Sequence, residues 1–118
     1  MWEFNDQSHF ICVEFHTKAN ALDQNSAEGL MQAHDLCDKN YDGIVIANDG
    51  MQFSAGVNLN VFLSMALAKK WKEIDFFLNQ FQQACKQLRY ASFPVIAAPS
   101  GLTIGGGYEV VAQTDCVV

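Results

Sequence analysis

Apolar positions along the chain follow two rhythms, and each predicts a different element. Alternation through His9-Phe10-Ile11-Cys12-Val13-Glu14-Phe15 predicts a strand. A shorter strand at Trp2 to Phe4 precedes it, and Asn5-Asp6-Gln7-Ser8 between them is turn chemistry, so a hairpin is expected. Thr17 to Asn25 reads as a loop ending at a helix, with Asn25 or Ser26 as the candidate N-cap. Ala27, Leu30, Met31, His34 and Cys37 then recur at helical spacing until Asp38-Lys39-Asn40 ends the pattern. His34 on that stripe reads as a satisfied, half-buried side chain rather than a ligand.

Gly43-Ile44-Val45-Ile46-Ala47 is a continuous apolar run of the kind found in strands buried on both faces, and it predicts a parallel-type sheet. Small and polar residues from Asn48 to Gly56 predict a loop, and a helical stretch is expected after Val57. The longest periodic segment runs from about Lys69 to Arg89, with Ile74, Phe77, Leu78, Phe81, Cys85 and Leu88 on one face. An amphipathic helix packing on the core is expected there. Pro94-Val95-Ile96-Ala97-Ala98-Pro99 predicts a second buried strand. A glycine-rich loop from Ser100 to Gly107, a helix from Tyr108 to about Thr114, and a strand beginning at Cys116-Val117-Val118 follow. This order predicts an α/β architecture with right-handed crossovers.

Composition narrows the classes. The 118 residues, half hydrophobic and 17% charged, suit one domain and no second one. Seven basic residues against 13 acidic ones give a net charge of -6, and no more than two basic residues stand together, at Lys69-Lys70, so a nucleic-acid partner is not expected. Cys12, Cys37, Cys85 and Cys116 are widely spaced, without metal-ligand spacing, and read as reduced core thiols of a cytoplasmic protein. The opening Met-Trp-Glu-Phe-Asn-Asp lacks a basic leader and an apolar core, and no run nears the ~18 apolar residues of a membrane span.

Candidate chemistry lies in two loops, Gln52 to Leu59 and Gly101 to Glu109, each following a buried strand, where α/β folds place their sites. Glycine lets a backbone approach a ligand, and a first helical turn leaves N–H groups without partners. Two such ends facing each other would offer two donors to one oxygen, the anatomy of an oxyanion hole. Any one glycine loop on its own more often just turns a corner. Gly105-Gly106-Gly107-Tyr108-Glu109-Val110 lacks the last glycine of a dinucleotide fingerprint, and Gly101 to Gly106 lacks the lysine of a P-loop. An acidic residue such as Glu109 in a first turn is favoured by the helix dipole alone.

Together these segments resemble the crotonase (enoyl-CoA hydratase/isomerase) superfamily. Lys18-Ala19-Asn20-Ala21-Leu22 is similar to its K-x-N-A-L loop, and Phe53-Ser54-Ala55-Gly56-Val57-Asn58-Leu59 to its F-x-A-G-x-D-L signature. Pro94-Val95-Ile96-Ala97-Ala98, Gly101 and Gly105-Gly106-Gly107-Tyr108-Glu109 with Asp115 resemble the P-V-I-A-x-x-x-G…G-G-G-x-E…D signature. The nearest likeness is to the hydratase-like part of bacterial multifunctional 3-hydroxyacyl-CoA dehydrogenases.

The resemblance implies that residues 1–118 are the N-terminal portion of one crotonase-like ββα spiral domain. It implies backbone N–H groups of Val57 and Gly106 binding a thioester oxygen and stabilising its enolate, with Glu109 as one acid/base group. Lys18, Ser54, Ala55, Gly56, Val57, Asn58, Leu59, Asn60, Gly105 and Gly106 would contact the acyl-CoA, with coenzyme A entering as part of the substrate and no separate cofactor bound. Hydration of a 2-enoyl-CoA in fatty-acid β-oxidation is the expected reaction. An isomerase and a non-catalytic acyl-CoA-binding or assembly module are the alternatives.

Asn58 departs from the family's common Asp. The second glutamate of hydratases, and the strands and helices that close the pocket and form trimer contacts, would lie beyond Val118. On that reading the segment alone is expected to be inactive and prone to self-association through its last strand, while the parent forms a homo-oligomer or a β-oxidation complex.

Overall fold

The computed structural model describes residues 9–118 together with the strand pairing of Trp2 and Glu3. A five-stranded sheet has the order β1(Trp2–Glu3), β2(Phe10–Val13), β3(Gly43–Ala47), β5(Val95–Ala98), β7(Cys116–Val117). β1 runs antiparallel to β2, pairing Trp2 with Cys12, and every other neighbour is parallel. The expected hairpin partners therefore pair, while Phe4 and the Asn5–Ser8 turn lie outside the described residues.

β3 and β5 are in register Ile44 to Val95 and Ile46 to Ala97, and these four side chains are fully buried. They share one core with Ile11 and Val13, with Ala27, Leu30, Ala33 and Cys37 of α1(Gln24–Asn40), and with Phe77, Phe81, Ala84 and Leu88 of α3(Trp71–Arg89). Each large aliphatic or aromatic side chain withdrawn in this way contributes about 2 kcal/mol. Val45, Ala47, Ile96 and Ala98, on the opposite face, are only half-buried. The two-sided burial expected of these strands is thus one-sided, because the helical core gathers over one face.

Helix α1 is capped by Asp23, not by Asn25 or Ser26. Its carboxylate accepts the Ser26 N–H at 2.9 Å while the Ser26 hydroxyl accepts the Asp23 N–H at 3.2 Å, a reciprocal box one turn long. The helix ends at Asn40 as expected. His34 is half-buried with its ring 5.3 Å from Phe93. Lys69 adopts a left-handed φ of 56°, so α3 starts at Trp71, two residues later than the periodicity suggests. Leu78, expected in the core, is 43% exposed at the edge of the stripe.

Between β3 and α2(Leu59–Leu67) the expected loop contains β4(Gln52–Ser54), which pairs in parallel with β6(Leu102–Thr103) inside the glycine-rich stretch. These short strands form a second, two-stranded sheet. Helix α4(Gly106–Val111) begins at the second glycine of the triple, two residues before Tyr108. Of the four thiols, Cys12 and Cys37 are buried, Cys85 is half-buried and Cys116 exposed, so only two are core residues.

Candidate active site

Two chain segments, each leaving a central strand, meet at the candidate site. The first passes from β3 through Asn48, which is buried and braces the turn. Its Oδ1 accepts the Phe15 N–H and its Nδ2 donates to the Phe53 carbonyl, both at 2.6 Å. After β4 the chain reaches Gly56 at φ 80°, a left-handed conformation that suits glycine. The Gly56 carbonyl accepts the Leu22 N–H at 2.9 Å, and Leu22 and Val57 form a parallel bridge. A bridge of this phase leaves the Val57 N–H outside the pairing. Asn58 then caps α2, its Oδ1 accepting the N–H groups of Asn60 and Val61 at 3.1 and 3.4 Å.

The second segment leaves β5, pairs as β6, and turns at Gly105, φ 52°, into α4. Gly105 offers no side-chain cap. The Gly107 N–H donates to Ile104 O and the Glu109 N–H to Gly105 O, both at 3.0 Å. As the first residue of the helix, Gly106 has no intrahelical acceptor for its own N–H.

The two segments touch through backbone. A Cβ placed on Gly56 would stand 2.8 Å from Ile104 O and 3.2 Å from Gly106 N, and one on Gly105 would lie 3.8 Å from Gly56 Cα. One on Gly106 would meet Val57 Cγ2 and Leu22 Cδ1 at 3.2 Å and Phe81 Cζ at 3.3 Å. Gly56, Val57, Gly105 and Gly106 are therefore brought together.

The remaining candidates are distributed differently. Lys18, Val57 and Asn58 line a cavity of about 820 Å³ whose walls include Phe62, Phe76 and Phe77. Glu109, exposed, lines a separate cavity of about 550 Å³ with Phe81 and Cys85. The rings of Phe77 and Phe81 stack with centroids 6.3 Å apart, one bordering each cavity. Burial, and secondarily the charge of Glu109, push the Cys85 thiol up to about 11. Asn60 borders a shallow groove beside Lys70 and Glu73, and Leu59 is 77% exposed. Ser54 is fully buried and, like Ala55, Gly56, Gly105 and Gly106, lines none of these cavities.

Sequence reasoning missed Asn48, whose type at a strand end signalled only a turn. It also missed Lys72, which lies off the apolar stripe of its helix and borders the larger cavity. Among the described residues, no cluster of three or more His, Cys, Asp or Glu is arranged to hold a metal ion, and no helix is long and apolar enough to cross a membrane.

Residues 6–118 match the sequence profile of the family described as Enoyl-CoA hydratase/isomerase. A protein of Bacillus subtilis (strain 168) named as a probable 3-hydroxyacyl-CoA dehydrogenase is 36% identical over 97 residues, 82% of this chain and 12% of its own length. A protein of Rickettsia felis named as a putative fatty acid oxidation complex trifunctional enzyme is 29% identical over 97% of this chain and 16% of its own. The chain thus spans a small part of these relatives. The enoyl-CoA hydratase structure from Polaromonas sp. JS666 superimposes with a TM-score of 0.86 at 20% identity, covering 96% of this chain and 45% of that one. The one from Bacillus halodurans gives 0.85 at 19% identity, covering 98% and 47%. With the profile running through both glycine turns, the chain belongs to the enoyl-CoA hydratase/isomerase family.

Proposed function

We propose that this chain supplies the thioester-binding part of an enoyl-CoA hydratase of fatty-acid β-oxidation. The observation that supports this reading is the backbone contact between Gly56 and Gly105–Gly106, the turns that carry the Val57 and Gly106 N–H groups. In the reaction, water adds its oxygen to C3 of a 2-enoyl thioester and a proton reaches C2. The electron pair displaced from the double bond resides transiently on the thioester oxygen. Two fixed N–H donors stabilise that charge without reorganising. Glu109 handles one of the two proton transfers. Lys18, at the rim of the larger cavity, offers its ammonium to the coenzyme A phosphates.

The Phe77–Phe81 pair stands between the cavity holding Val57 and the one holding Glu109, so a bound acyl group on this reading passes the edge of that pair. The lengths and names of the relatives support a larger parent that takes part in fatty-acid oxidation; on this reading it is cytoplasmic and assembled as an oligomer or β-oxidation complex. There a 3-hydroxyacyl-CoA dehydrogenase would consume the product of hydration. Glu109→Gln in the full-length protein is expected to lower hydration of crotonyl-CoA about a hundredfold or more while leaving acyl-CoA affinity nearly unchanged. Unchanged turnover would remove Glu109 from the mechanism. The same assay on a 3-enoyl-CoA tests the isomerase alternative, and binding without either turnover would favour a non-catalytic module.

A further inference from the structure

We propose that Ser54 is a positioning residue: its buried hydroxyl fixes the Gly56–Val57 turn against the Lys18–Asn20 turn, while its carbonyl and Cβ hold the Ile104–Gly107 stretch that enters α4. This rests on the proposed role of Val57 as a thioester donor. Serine is mostly an exposed residue type, yet this one is completely buried. Its Oγ donates to Asn20 O at 2.7 Å and accepts the Gly56 N–H at 3.1 Å, so both functions of the hydroxyl are used. Its carbonyl accepts the Ile104 N–H at 3.2 Å, tying the same residue to the second turn. Its side chain also fills the space beside Gly107, where a Cβ would come within 2.6 Å of Ser54 Cβ and 2.9 Å of Oγ.

The Asn20 carbonyl matters because of what it anchors. Ala19 and Asn20 both hold left-handed φ, 58° and 50°, a conformation costly for residues other than glycine and sustained only when the surroundings enforce it. Three bonds enforce it here: Ser54 Oγ to Asn20 O, Asn20 Nδ2 to Gln52 O at 2.9 Å, and the Ala55 N–H to Ala19 O at 3.1 Å. Of these, the Ser54 bond alone shares its atom with the Gly56 N–H. Removing the hydroxyl would free the Gly56 amide and slacken the adjacent Val57 N–H, leaving the overall packing in place.

The test compares Ser54→Ala and Ser54→Cys with wild type in the full-length protein. With a 1-¹³C-labelled acyl-CoA, the carbonyl shift of the bound thioester reports how strongly the donors polarise it. Ser54→Ala is expected to move that shift toward its value in free acyl-CoA, and to lower kcat for crotonyl-CoA about tenfold, with KM nearly unchanged, at temperatures well below its own thermal midpoint. Ser54→Cys, which keeps a weaker donor and acceptor, is expected to recover part of both. A kcat loss that follows the thermal midpoint with the carbonyl shift unmoved would overturn the proposal in favour of a purely structural serine. If wild type itself binds no acyl-CoA, the functional reading fails separately. Amide hydrogen exchange then decides: about tenfold faster exchange at Gly56 in Ser54→Ala supports the positioning role, and unchanged exchange overturns it.

Discussion

The segments β3–β4–α2 and β5–β6–α4 follow the same route and are restrained in different ways. Each leaves a parallel strand, pairs briefly with the other, turns at a left-handed glycine and enters a helix. In the first, polar side chains do the holding: Asn48 braces the turn, Ser54 holds Gly56, and Asn58 caps a helix with no buried residue. In the second, contact does it. Gly105 gives no side-chain cap, while Gly106, Gly107, Val110 and Val111 are all buried. Two glycine turns can thus be held against each other by opposite means, hydrogen bonding on one side and close packing on the other. The two sides should respond to different kinds of substitution.

The largest effect is expected on the packed side. In Gly107→Ala the new methyl would overlap Ser54 Cβ, a rigid atom that cannot swing away, so a loss on the order of 3 kcal/mol is expected in chemical denaturation. Gly29→Ala in α1 is the comparison, since nothing lies within 4 Å of its Cβ site. There, better helix propensity should add up to about 1 kcal/mol. Equal midpoints for the two variants would show that α4 has room to shift and that the contrast with the first side is overdrawn.

This division also explains what could be read from the sequence. β3 and β5 were legible because Ile44–Ala47 and Val95–Ala98 are continuous apolar runs with clear borders, and α1 and α3 because their stripes are long. β4 and β6 were not, because Gln52 pairs with Leu102, fifty positions further along the chain, and neither strand has room for a pattern. The α1 cap was misplaced because Asp23, Asn25 and Ser26 are all good cap types, and only the reciprocal bond distinguishes Asp23. The glycine turns and Glu109 stood out by type and spacing. The burial of Ser54 and the Phe77–Phe81 partition did not, since a serine beside glycines reads as a loop residue and an aromatic stripe as undivided core.

A smaller effect separates the two sides by pH. Cys85 lies beside Glu109 on the packed side, and its thiol is raised from the ordinary 9.0 to about 11 by burial first and the carboxylate second. A raised folded value means that the unfolded thiol ionises first, so the stabilisation is complete below pH 9 and is lost as pH rises toward 11. Stability should fall across that window on account of this group, by less than full burial would give because the thiol is partly open to solvent. Cys85→Ala should make that part of the stability profile shallower, the share of Cys37, whose thiol burial also pushes up to about 11, remaining. Asn48, Ser54 and Asn58 do not titrate there, so amide exchange at Gly56 should fall behind that at Val110 as pH rises, once the intrinsic base dependence is removed. A profile unchanged by Cys85→Ala would detach the thiol from α4.

The smallest effect tests the polar side at its cap. Asn58 holds two N–H groups of α2 through one oxygen, and losing that oxygen in Asn58→Ala should cost about 1 kcal/mol. Asn58→Asp keeps the oxygen and adds a negative charge at the positive end of the helix, worth a further few tenths of a kcal/mol in favour of folding. Because α2 buries none of its residues, that charge is open to solvent, and the gain should shrink as salt is raised. Thermal midpoints of Asn58→Asp and wild type at low and high ionic strength measure the difference. A gain that persists undiminished in high salt would mean that the cap is shielded from water, and α2 would then share the packed character of α4.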